Sequence, residues 1–81
     1  MSKQELHSKV RATKAFLSRE TVRLRTGEEV QGNLTFREIG TRMDMIHEAE
    51  RVGIRNLEES QARKLQKMIN ELEEIRAVSL N

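Results

Sequence analysis

Asp44, His47 and Glu48 are the residues of this sequence whose types and spacing come nearest to a reactive constellation. On a helix, i, i+3 and i+4 spacing sets two carboxylates and an imidazole on neighbouring positions. Such a donor set can ligate a divalent cation, more convincingly where a two-fold axis doubles it. At 100° per residue, however, Asp44 and Glu48 point about 140–180° from Ile39, which heads the apolar side of the same segment. Carboxylates turned away from a core form a solvated face, so no metal is expected here. His7 stands alone among lysines, and Ser8, Ser18, Ser60 and Ser79 lie in charged or helical context. None of the serines sits on the strained G-x-S-x-G turn that presents a nucleophile. No Gly-rich loop runs into Lys-Ser or Lys-Thr to cradle a phosphate. The residues assemble no catalytic set and no cofactor site, and the chain is expected not to be an enzyme.

What remains is charged surface. The 81 residues carry 15 Lys and Arg against 13 Asp and Glu, a formal +2 that is unevenly spread. Residues 1–26 hold Lys3, Lys9, Arg11, Lys14, Arg19, Arg23 and Arg25 against Glu5 and Glu20, a local +5, and the other 55 residues sum to −3. A basic segment attracts phosphate through counterion release, which makes nucleic acid the alternative partner. Those seven cations spread around the helical wheel without interleaved aromatics, the pattern of a solvated helix, so nucleic acid stays the second reading. There is no cysteine to form a disulfide or ligate zinc. No run approaches the ~18 apolar residues of a membrane span, and residues 1–20 lack the apolar core of a signal peptide. Membrane insertion is therefore not expected, and the chain reads as cytoplasmic.

The elements that present this surface are helices. The sequence has no proline and is rich in Glu, Arg, Leu, Lys and Ala, which lose little rotamer freedom in a helix. Ser2-Lys3-Gln4-Glu5, Thr35-Phe36-Arg37-Glu38 and Asn56-Leu57-Glu58-Glu59 each place a capping side chain three residues before a glutamate, the reciprocal pattern of a helix start. Gly27 and Gly53 stand where a left-handed residue ends a helix. Gly40 falls inside a helical run. The spacing predicts a mainly α, three-helix arrangement over about 3–25, 36–52 and 57–79, in one small domain. A chain of this length buries only roughly 60–65% of its unfolded surface and gains from a partner.

In the first segment Leu6, Val10, Thr13, Leu17, Thr21 and Leu24 share an arc of about 80°, with Val10, Leu17 and Leu24 seven apart, as in a coiled-coil seam. Phe16, Ala12 and Val22 fall outside it. In the second, Phe36, Ile39, Met43 and Ile46 share one side, while Met45, Ala49 and Val52 spill round its edge. The third carries Leu57, Leu65, Met68, Ile69, Leu72, Ile75 and Leu80. A first helix of about 34 Å beside a middle one of about 25 Å leaves apolar ends uncovered, and a homo-oligomer would cover them. The predicted partner-binding residues are Arg11, Lys14, Arg19, Arg23 and Arg25, which would steer toward an acidic partner, with Leu17 and Leu24 as the apolar contact. The plainer account has a solvated helix with both leucines in the core. Together these features favour a non-enzymatic helical protein–protein interaction module: a small regulator, inhibitor or assembly factor.

The segment 21–36 has a rival reading as a β-hairpin, because Val22, Leu24, Val30, Leu34 and Phe36 alternate with polar residues around Gly27. With Gly27, Val30, Gly32 and Leu34 it resembles the opening strands of Sm-like RNA-binding proteins, which would imply an RNA-binding ring. The resemblance covers about sixteen residues, and helical patterning replaces that family's later strands after Phe36. Thr35 to Met43 is similar to the first helix of a helix-turn-helix. Asp44 and Glu50 then depart from that motif, standing where its tight turn wants glycine and its second helix a buried aliphatic residue. The overall make-up resembles small regulators encoded by phages and mobile elements.

Overall fold

The computed structural model describes residues 2–28 and 34–79. It contains helix α1 (Lys3–Thr26), helix α2 (Phe36–Val52), a 3-10 turn (Ile54–Asn56) and helix α3 (Glu59–Ser79). Two starts follow the cap pattern. The Ser2 hydroxyl accepts from the Glu5 amide. At Thr35 the capping box is complete: the Glu38 amide donates to the Thr35 hydroxyl, and the Thr35 amide donates to the Glu38 carboxylate. The third start is displaced by two residues. Asn56 ends the 3-10 turn and donates its side-chain amide to Val52 O, while Gln61 reaches back to the Glu58 amide and α3 begins after Glu58. Helix α1 ends on left-handed Gly27 (φ 77°), whose amide and that of Glu28 return to Leu24 and Arg23 carbonyls.

Three side-chain cross-links fix the topology. Lys14 Nζ lies 3.1 Å from Glu50 and Lys3 Nζ donates to Arg55 O, so α2 runs antiparallel to α1. Lys9 Nζ lies 3.0 Å from Glu73, and Lys3 and Leu6 share a cleft with Glu59, Ala62 and Gln66. Helix α3 therefore runs parallel to α1. The sharp reversal between α2 and α3 is made by Gly53 (φ 95°), where a Cβ would stand 3.0 Å from the Asn56 side chain. Glycine is needed there.

Leu6, Val10, Phe16 and Leu17 of α1 meet Ile39, Ile46 and Ala49 of α2 and Leu65, Met68, Ile69 and Leu72 of α3 in one core, closed by Leu34, Ile54 and Leu57. The three-helix arrangement is as the sequence predicts. The hairpin is not formed: Thr21–Thr26 are helical, no strand occurs among the described residues, and Glu29–Asn33 lie outside them. A left-handed cap at Gly27 stops a helix, so the alternation around it needs no strand.

The narrow-seam expectation also changes. Phe16 is buried although it lies off the seam, and Val22 is 57% exposed. Because α1 packs on two helices, its buried arc widens to about 120°, from Phe16 to Val10. Phe36, placed on the core side by its spacing, is 54% exposed. The Lys14–Glu50 register sets Phe36 opposite residue 28, beyond the last turn of α1, so that helix does not reach far enough to cover it.

Candidate interaction surfaces

The structure sorts the seven predicted partner-binding residues into three groups. Leu17 has no exposed surface, and Leu24 packs against the core edge. Leu17 is therefore enclosed by α2 and α3 and has no apolar surface to offer a second copy or a partner. This corrects the seam assignment. Lys14 and Arg23 are engaged within the chain, Lys14 with Glu50 and Arg23 with Glu20 at 3.6 Å. Arg11, Arg19 and Arg25 are exposed and have no ion-pair partner among the described residues. These three lie within about 120° of one another on the outward face of α1, with exposed Ser8, Ala15, Ser18 and Val22 between and beside them. From Leu6 to Thr26 the only acid on α1 is Glu20, which is buried. The cations that spread around the wheel thus separate: Lys9 pairs with α3, Lys14 with α2, Arg23 with Glu20 of α1 itself and Lys3 with a carbonyl of the 3-10 turn, and those left over share one side.

Asp44 and Glu48 are exposed on α2, as their angle from Ile39 predicts. Glu48 forms a fork with Arg51, whose guanidinium, hydrogen-bonded to it, holds the Glu48 carboxyl below the usual carboxylate range. Among the described residues no three His, Asp or Glu side chains converge to hold a metal. No helix among them is long and apolar enough to cross a membrane.

No family model, curated protein or solved structure matches the chain. The surfaces are therefore read from their own chemistry.

A second surface lies between α2 and α3. There a groove of about 470 Å³ has Met45, Ala49, Val52, Leu57 and Leu65 along its floor and walls. Thr41, Asp44 and Glu48 form its rim on α2, and Gln61 and Lys64 its rim on α3. No ion pair of 4 Å or less joins Asp44 to Lys64. Sequence reasoning missed this groove, although its signal was visible in Met45, Ala49 and Val52 spilling past the edge of the α2 stripe. An apolar arc wider than one neighbouring helix can cover either meets a second helix or lines a cleft. Here it does both.

Proposed function

We propose that this chain is a non-enzymatic protein-binding module, a small regulator, inhibitor or assembly factor, that meets an acidic partner through the outward face of α1. The observation that carries the reading is the set of three exposed arginines, Arg11, Arg19 and Arg25, without an ion-pair partner among the described residues, on one acid-free side of a long helix. Their charge would raise encounter rates and select acidic partners more than it would add affinity. The small residues between them let a partner's surface approach the helix closely.

Nucleic acid is the second reading, and the same observation favours it more than the wheel alone did, because the unpaired cations share a face. Titration of labelled nonspecific duplex and single strands at 50 and 200 mM salt separates the two. The protein-binding reading expects no association at the lower salt. If the three arginines each met a phosphate, affinity would fall about 40-fold between those concentrations. That result would overturn the leading reading in favour of the second.

A further inference from the structure

We infer that the groove between α2 and α3 is a docking site for an amphipathic helix of a partner protein, one that presents a basic residue toward Asp44 and an acidic residue toward Lys64. The inference rests on the protein-binding reading and adds to it a second, separate surface. Three features define the occupant. The floor is apolar, formed by Met45, Ala49, Val52, Leu57 and Leu65, so water over it is released by an apolar insert. From Thr41 to Val52 the α2 wall runs about 17 Å, the length of three helical turns, which accommodates apolar anchors at i, i+4 and i+7 of an inserted helix. Met45 can adapt its shape to such anchors.

The rim selects the polarity of the insert. Asp44 and Glu48 stand one turn apart on one wall and Lys64 on the other, opposite charges separated by the apolar floor. Asp44 and Lys64 have no ion-pair partner among the described residues. An inserted helix with Lys or Arg on one flank and Asp or Glu on the other meets both. Its reverse would set like charges together, which is how rim charges fix orientation. A second copy of this chain fits less well. Two-fold pairing of groove on groove would lay one concavity on another and leave both floors unfilled.

The test is selection of a displayed library of amphipathic helices on the full chain. Labelled peptides from it are then titrated against wild type, Met45→Glu, and the exposed-charge exchange Asp44→Lys with Lys64→Glu. Enriched peptides should carry apolar residues at i, i+4 and i+7 with a basic flank opposite an acidic one. Binding should weaken roughly tenfold or more with either variant, and peptides with inverted flanks should regain affinity for the charge exchange. The charge exchange leaves the core untouched, so loss of fold in Met45→Glu would not blunt the result. Absence of enrichment, or equal binding to all three proteins, overturns the proposal. So does a dimer of the chain, seen by sedimentation and abolished by Met45→Glu, which would give the groove to a second copy. Reversal of Arg11, Arg19 and Arg25 should leave peptide binding in place, so failure at the groove and failure at α1 are read separately.

Discussion

Glu20 is the residue least expected from the sequence. It is 1% exposed, neither carboxylate oxygen accepts a hydrogen bond among the described residues, and its nearest charge, Arg23 Nη1, is 3.6 Å away. A buried carboxylate without a hydrogen bond, offset by one ion pair beyond hydrogen-bond distance, is destabilising, whereas an apolar side chain of similar volume is often neutral or stabilising there. Glu20→Met should therefore keep the fold and raise its stability by about 1 kcal/mol or more, measured by urea denaturation. A loss of similar size would show that Glu20 makes an interaction the geometry does not reveal. Nothing in the sequence marks Glu20 as buried. It falls outside the apolar arc, and its burial follows from α1 packing on two helices at once. A single helical wheel gives the direction of a face but not the number of neighbours pressing on it, and Phe16 entered the core for the same reason.

At the scale of the elements, local chemistry was the most legible part. The start of α2 was readable from Thr35 and Glu38 because both halves of its capping box are encoded within four residues. The start of α3 was misplaced because two overlapping cap patterns compete, and the 3-10 turn uses Asn56 to close the preceding reversal instead. Gly40 was noticed as an interruption of α2. It is helical and exposed, and a Cβ there would meet nothing within 4 Å. Gly40→Ala should thus stabilise the chain by about 0.8–1 kcal/mol, the propensity difference alone, read as a raised unfolding midpoint. No change, or a loss, would mean that the site needs glycine for a reason outside the described packing.

The capping box also has a pH signature. The Thr35 backbone amide, then the Thr35 hydroxyl, and last the Arg42 charge hold the Glu38 carboxyl below its ordinary value of 4.5. A carboxyl whose folded pKa is depressed contributes stability above its unfolded value and loses it as pH falls through the folded one. Glu38→Gln can still accept from the Thr35 amide but does not titrate. Its stability deficit relative to wild type should be present at pH 6–7 and shrink progressively below about pH 4.5, in denaturation series at each pH. A deficit independent of pH would assign the cap to geometry without charge.

For the whole molecule, the sequence conveyed the class of fold and the uneven charge, while the division of labour among the charges came only from tertiary placement. Lys9, Lys14 and Arg23 are held by Glu73, Glu50 and Glu20, and Arg11, Arg19 and Arg25 are left facing outward. The predicted seam failed at Leu17 because a leucine at the centre of three helices is enclosed by the monomer itself. The central claim is that the outward arginines of α1 are the partner-binding residues. Each is exposed, so Arg11→Glu, Arg19→Glu and Arg25→Glu together should leave the fold intact, each within about ±0.5 kcal/mol. Arg23 is left unchanged in this variant because it faces Glu20. The most direct measurement is quantitative affinity capture from a nuclease-treated lysate of cells that express the protein, comparing wild type with this triple variant after matched thermal melts. The account predicts that one or more acidic proteins are retained by wild type and depleted with the variant. Recovery of the same proteins in the same amounts by both would contradict it.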